Sequence, residues 1–329
     1  MKTAKIHEKN WPAGKIFHAD CREVLPQLEP NSVDLILTDP PYFIDGMGED
    51  WDRSKLETKV NKAGIIGGRP IGMKFDMSQG YSFQEFLTPI FKESFRVLKP
   101  GGFLISFSQA RLFHRLAVAA EDEGFEIRDM LAWHHNGQAK AFTQDHFVRK
   151  NKKLSEREKA RLLKELDGRK TPQLKPQLEP MVLAQKPKEG TFIDNWMKYK
   201  VGLIDTTQSL DETFPGNLMA VAKPGKAEKG ADNIHLTVKP TVLLSHLIKI
   251  FTVEGAVILD PFLGGGSSLY GTRNSKFKFV GIEINEFPYR IAKFNSNHTR
   301  CCGLRRVRAR RPTWRRPPSG WGSCRGWVT

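Results

Sequence analysis

Apolar positions along this chain follow two periodicities in alternation. The run Val33-Asp34-Leu35-Ile36-Leu37-Thr38 is short and almost continuous, as in a strand buried on both faces. Asp39-Pro40-Pro41-Tyr42 closes it, because two prolines cannot extend a hydrogen-bonded ladder. Ahead of it, residues 16–20 predict a short strand ending in Asp20, and residues 21–28 a helix. Behind it, Phe86, Leu87, Ile90, Phe91, Phe95 and Leu98 recur at helical spacing, with Ser82 and Glu85 placed as an N-cap and its capping partner. Lys99-Pro100-Gly101-Gly102 predicts the end of that helix and a turn into a strand over 103–107. A second helix over about 110–123 and a strand over 125–134 follow. This alternation of strands and helices is that of a mostly parallel sheet with helices on both faces.

The pattern breaks near residue 137. From Gln138 to Pro180 there are twelve Lys or Arg against six Asp or Glu and few large apolar residues, so another core layer is not expected there. One helix is predicted, with Ser155 and Glu158 as a capping box, Leu162, Leu163 and Leu166 as its apolar stripe, and Gly168 as its stop. Residues 181–185 read as a returning strand and 188–233 as loop-rich. The sheet pattern then resumes: an amphipathic helix from Val242 to Phe251, a buried strand over 256–260, a glycine loop opening a helix, and a strand over 277–282 with Glu283 at its end.

Composition narrows the class. The chain has 329 residues, 39% hydrophobic and 10% aromatic, enough for a large core. No run of 18 apolar residues exists and the N-terminus carries no apolar leader, so neither a membrane span nor a signal peptide is expected. Four cysteines, three of them in the last thirty residues, make no disulfide framework and no zinc motif, which suggests a reducing cytoplasm and no metal. The formal charge of +16 points to a polyanionic partner. Nine arginines and no acid lie in residues 300–329, and removing them still leaves +7 on residues 1–299.

Two constellations carry chemistry. Asp39-Pro40-Pro41-Tyr42 leaves an acid and an aromatic at the carboxyl end of a strand, where open α/β sheets hold their ligands. The Asp39 carboxylate and a carbonyl of the turn can both accept hydrogens from an exocyclic amino group, while Tyr42 offers a face to a planar base. Such acceptors localise the amine lone pair and make it a nucleophile. The second constellation is Asp260-Pro261-Phe262-Leu263-Gly264-Gly265-Gly266, an acid-ended strand, a glycine loop and a helix N-terminus. Glu283, twenty-three residues after Asp260, ends the next strand, where a carboxylate can bind ribose hydroxyls. The loop does not match the Gly-x-Gly-x-x-Gly dinucleotide fingerprint.

Together these motifs resemble the β class of amino-group DNA methyltransferases, in which the catalytic motif precedes the cofactor motif. The resemblance spans residues 14–298. It rests on Asp20, Asp39 to Tyr42, Leu98 to Gly102, a variable basic insert, His235-Leu236-Thr237-Val238-Lys239-Pro240, Asp260 to Gly266, and Gly281-Ile282-Glu283, in that order. It implies a Rossmann-like, mostly parallel methyltransferase sheet, S-adenosyl-L-methionine as methyl donor, and a base flipped out of double-stranded DNA as acceptor. Asp39, Pro40, Pro41 and Tyr42 would form the catalytic motif. Phe262, Gly264 and Gly266, with Asp260, would line the cofactor, Glu283 would hold its ribose, and His235, Thr237 and Lys239 would cover its methionine end. Asp20 would lie near its adenine.

In this family an initial Asp goes with adenine N6 and a Ser often with cytosine N4, so Asp39 favours adenine. Leu236 replaces the usual proline, and Gly265 a usual Ser or Thr. The implied division is residues 1–136 and 234–299 as two parts of the catalytic domain, 137–233 as target recognition, and 300–329 as a disordered Arg-rich tail. No cysteine follows a proline, which disfavours cytosine-C5 chemistry. Cytosine-N4 methylation, RNA methylation and a catalytically weak DNA-binding protein remain as alternatives. A homodimer is allowed, and a cognate restriction endonuclease is left open against an orphan enzyme.

Overall fold

A computed structural model describes residues 15–41, 78–139, 141–210, 214–225, 228, 238–272 and 277–297. Tyr42, His235, Thr237, residues 43–77 and the tail 300–329 lie outside the described residues.

Eight strands form one sheet: β1 (Lys15–His18), β2 (Val33–Thr38), β3 (Leu98–Phe107), β4 (Glu126–His134), β5 (Leu178–Gln185), β6 (Leu218–Ala220), β7 (Val257–Asp260) and β8 (Lys278–Glu283). Their order is β1-β8-β7-β2-β3-β5-β4-β6. β5 runs antiparallel to both its neighbours, and every other pairing is parallel. The mostly parallel sheet read from the sequence is therefore present, with one reversed strand.

Alternation along the strands sends side chains to two cores. Ile36, Leu104, Leu259 and Val280 pack under α1 (Cys21–Val24), α2 (Ser78–Val97) and α3 (Phe113–Asp122). Leu35, Leu37, Ile105 and Ile258 pack on the other face, against helix Thr241–Phe251 and Ala292. Leu35, Ile36, Leu104, Ile105 and Leu259 are all fully buried, as near-continuous apolar strands require.

Ser82 is not an N-cap, because α2 begins at Ser78 and Ser82 lies inside it. Contacts from outside the helix hold the extra turn: Arg111 donates to the buried Gln79 at 3.3 Å, and the Arg115 guanidinium sits 3.9 Å from the Tyr81 ring centroid. The strand expected to start at residue 103 starts at Leu98. Val33 pairs with Leu98 and Leu35 with Phe103, so Lys99 to Gly102 form a bulge rather than a turn before the strand. Gly101 has φ +79°, and a Cβ there would lie 2.3 Å from Asn195 Nδ2. That amide donates to the carbonyls of Pro100 and Val201 at 3.0 Å each, which locks the bulge.

Within residues 137–233, two helices, α4 (Asp145–Lys150) and α5 (Glu156–Glu165), stand outside the sheet. The Ser155–Glu158 capping box is present, and no residue of α5 is buried. The same stretch also supplies β5 to the middle of the sheet, and the stretch read as loop-rich contains α6 (Phe192–Tyr199), capped by Thr191 and Asp194. After α7 (Thr241–Phe251) come β7, α8 (Ser267–Gly271), β8 and α9 (Glu286–Asn297). Among the described residues, no helix is long and apolar enough to cross a membrane, and no acid, His or Cys cluster could hold a metal.

Candidate active site

β7 continues to β8 on one side of the sheet and β2 to β3 on the other, so the chain reverses its winding between β2 and β7. At such a switch point the loops leaving two adjacent strands part and open a crevice. Asp39 follows the last residue of β2, and Asp260 is the last of β7. The crevice is open to solvent and is lined by Thr38, Asp39, Phe107, Val238, Lys239, Asp260 and the loop Phe262-Leu263-Gly264-Gly265, among others.

The β7 side is held together by the buried Asp260. Its carboxylate accepts from the Thr38 hydroxyl at 2.7 Å, the Phe262 N–H at 3.0 Å and the Ser268 hydroxyl, so one side chain ties β2, the glycine loop and α8 together. Burial pushes the Asp260 pKa from 3.8 up to about 6, against those three hydrogen bonds, which favour the ionised form. An acid whose folded pKa exceeds its unfolded one binds more protons when folded, so stability falls as pH rises from about 4 to 6. Asp260→Asn keeps the shape without the charge. Its stability relative to wild type is expected to rise by up to about 3 kcal/mol between pH 4 and pH 8. Thermal unfolding of both proteins across pH 4–8 checks this. A variant less stable at pH 8 than at pH 4, relative to wild type, contradicts it.

Gly264 and Gly266 take φ +54° and +88°. Such angles favour glycine, and they let the loop backbone pass close to what the crevice holds. Glu283 is 7% exposed and accepts the N–H groups of Gly264 at 2.8 Å and Asn285 at 2.7 Å. The end of β8 is thereby joined to the loop after β7. The Phe262 ring lies 5.9 Å from that of Phe86. Asp20 stands at the edge of this region, past β1, where the Ala19 N–H donates to the Glu283 carbonyl at 3.1 Å. Asp20 caps α1 through the Arg22 N–H at 2.8 Å and is bound by the Arg22 guanidinium, which holds its pKa below the usual carboxylate value.

On the β2 side, Pro40 is buried, Pro41 is exposed and the Asp39 side chain is 21% exposed. Lys239, in the segment entering α7, is 5% exposed and places Nζ 2.9 Å from Asp39 Oδ2. The same ammonium is hydrogen-bonded to Glu179 of β5 and lies 4.8 Å from the Phe107 ring centroid. Burial pulls the Lys239 pKa down, but the Asp39 and Glu179 carboxylates outweigh it and hold the pKa above the ordinary lysine value. Burial also lowers the pKa of the nearby His135, helped by the charges of Lys223 and Lys239.

The structure thus brings together Asp39, Lys239, Asp260, Phe262 and Gly264, with Glu283 one hydrogen bond away, while Pro40, Pro41 and Gly266 adjoin the crevice in the chain without lining it. Sequence reasoning missed Thr38, Phe107, Ser268 and Glu179. Thr38 and Phe107 read only as strand apolar or β-branched positions. Glu179 read only as one acid in a basic stretch.

A parallel sheet with acids at the strand ends of its switch point, and a glycine loop between them, defines a nucleotide-cofactor α/β enzyme. Residues 33–294 match the family model described as DNA methylase, of the N6/N4 methyltransferase type. Over 298 residues, covering 84% of this chain and 93% of the relative, the sequence is 30% identical to the type II methyltransferase M.HindIII of Haemophilus influenzae. In fold it is similar to the PvuII DNA methyltransferase, described as cytosine-N4-specific, with TM-score 0.56, 13% identity and 86% of each chain covered. M1.HpyAVI in its SAM complex superposes with TM-score 0.50 and 19% identity, over 86% of this chain and 98% of that one. The chain belongs to the N6/N4 DNA methylase family. It is a DNA methyltransferase of that family.

Proposed function

We propose that the chain transfers a methyl group from S-adenosyl-L-methionine to the N6 amino group of an adenine flipped out of double-stranded DNA. The observation that carries this reading is the position of Asp39, on the wall of the crevice that also holds the Phe262 to Gly265 loop. A carboxylate there can meet an amino group next to a cofactor seated on the loop.

The residues present fit that cofactor. The crevice is lined by backbone of the glycine loop, the Phe262 ring and the Asp39 and Asp260 carboxylates, a mixture of apolar and polar groups suited to such a ligand. Glu283 is a buried carboxylate with two N–H bonds made, and its four lone-pair sites leave room for two ribose hydroxyls. The glycines would let the backbone approach the adenosine, and Phe262 would pack beside it. When bound, S-adenosyl-L-methionine supplies a methyl carbon made electrophilic by a sulfonium sulfur.

The chain's own residues prepare the acceptor. Asp39 takes a hydrogen bond from the amino group and the Pro40 carbonyl takes the other, which frees the nitrogen lone pair for in-line attack. Tyr42 offers its ring to the extruded base. No side chain becomes covalently bound, and orientation and electrostatics supply the rate. The exposed Arg149, Lys150, Lys152, Lys153 and Arg157 suit phosphate contacts. Their segment is rooted between the end of β4 and the start of β5. Because β5 is reversed, that root lies on the same sheet edge as Asp39.

The test is transfer of labelled methyl to unmethylated duplex DNA, followed by nucleoside digestion. The expected product is N6-methyladenine. N4-methylcytosine would replace adenine with cytosine as the target. Transfer to RNA alone would overturn the substrate.

A further inference from the structure

We propose that Glu179 is a positioning residue for methyl transfer: acting through Lys239, it fixes the Asp39 carboxylate as an acceptor for the target amino group. This rests on the role of Asp39 proposed above and deepens it.

Along the carboxyl edge of the sheet, Thr38 of β2 pairs with Ser106 of β3, and Phe107 of β3 pairs with Met181 of β5. β3 separates β2 from β5, so the two backbones are roughly 10 Å apart at this edge. Glu179 lies two residues before Met181, and it reaches this edge only because β5 runs antiparallel. Lys239 spans the gap. Its ammonium crosses the Phe107 ring at 4.8 Å, with Asp39 Oδ2 at 2.9 Å and the Glu179 carboxylate bonded to it.

The chemistry explains why a second acid helps. Lysine is a point charge with three donors on a flexible stem, and a carboxylate that alone faces it is drawn into a full ion pair. An Asp39 committed in that way is a weaker acceptor for a neutral amine. Glu179 takes part of the ammonium's hydrogen bonding and fixes where Nζ sits. Asp39 is then oriented by one oxygen while remaining a strong acceptor. The same anion favours the positive charge that develops on the amine during attack. The burial of Lys239, 5% exposed, makes these interactions stronger than they would be in water.

Four proteins test this: wild type, Glu179→Gln, Lys239→Met and the double variant. Single-turnover methyl transfer, cofactor affinity, thermal unfolding and the pH–rate profile are measured on each. Glu179→Gln is expected to lower the transfer rate roughly 10- to 100-fold with cofactor affinity within about twofold. Its acid limb should move to lower pH, because a neighbouring anion has gone. Lys239→Met should move the acid limb up, because two acids then share the edge without their cation. The double variant should be no slower than Lys239→Met, since Glu179 acts only through Lys239. Asp260 and His135, titratable groups that also interact electrostatically with Asp39 and Lys239 respectively, are present in all four proteins.

If Gln lowers the unfolding midpoint, Glu179→Asp keeps the charge but shortens the reach by one methylene, and it should show the same rate loss without the limb shift. An unchanged rate in Glu179→Gln, or losses that simply multiply in the double variant, overturns the role of Glu179. Activity surviving in Asp39→Ala would instead overturn the reading beneath it.

Discussion

Asp39→Ala is expected to lower methyl transfer by roughly 10²- to 10³-fold while leaving cofactor binding intact, because it removes an acceptor that acts mainly as charge develops on the amine. The fold should survive it. Asp39 follows β2 and is partly exposed, and Lys239 keeps the Glu179 carboxylate when Asp39 is gone. Asp39→Asn should fall between the two. It retains one carbonyl oxygen, but its amide cannot meet the Lys239 ammonium and the amino group together as an anion does. Single-turnover rates at saturating DNA, beside direct cofactor titration, separate these outcomes. A full rate in the alanine variant would remove Asp39 from the chemistry.

Glu283→Ala is expected to weaken S-adenosyl-L-methionine binding at least about 100-fold, the loss of two hydrogen bonds to a charged acceptor at roughly 1.5–3 kcal/mol each. The variant also deprives the Gly264 and Asn285 N–H groups of their acceptor. A lowered unfolding midpoint in the absence of cofactor should therefore accompany the affinity loss, reflecting roughly 1–3 kcal/mol for each group left buried and unpaired. Binding to duplex DNA at low salt should hold, because it draws on lysines and arginines elsewhere. Calorimetric titration of cofactor into the variant gives the answer directly. An unchanged affinity would mean that the ribose is held by other groups.

Asp39 and Asp260 are the part of the site most legible in the amino-acid sequence. Each closes a short apolar strand, and an acid at such an end is a local pattern that survives any arrangement of the sheet. The helix starts were less legible. Ser82 has the residues of a capping box, yet α2 extends back to Ser78, because Gln79 and Tyr81 find Arg111 and Arg115 beside them. α6 escaped notice although Thr191 and Asp194 form a capping box, since a helix of eight residues offers little periodicity. The Lys99 to Gly102 stretch looked like a stop. It is a bulge, held open by an asparagine ninety-five positions further on from Pro100.

The amino-acid sequence alone determined the apolar strands β2, β7 and β8, the acids that end them, the glycine loop, the basic segment and the family resemblance. These are short-range properties, set by residues a few positions apart, and the physics of burial and turns acts on them locally. Only the tertiary structure decided that β2 lies beside β7, so that Thr38 bonds Asp260 across 222 positions, and that β5 runs backwards, so that Glu179 meets Lys239 across 60. Those contacts depend on strand order and direction, which follow from how the whole sheet buries its two faces. No local pattern carries that information.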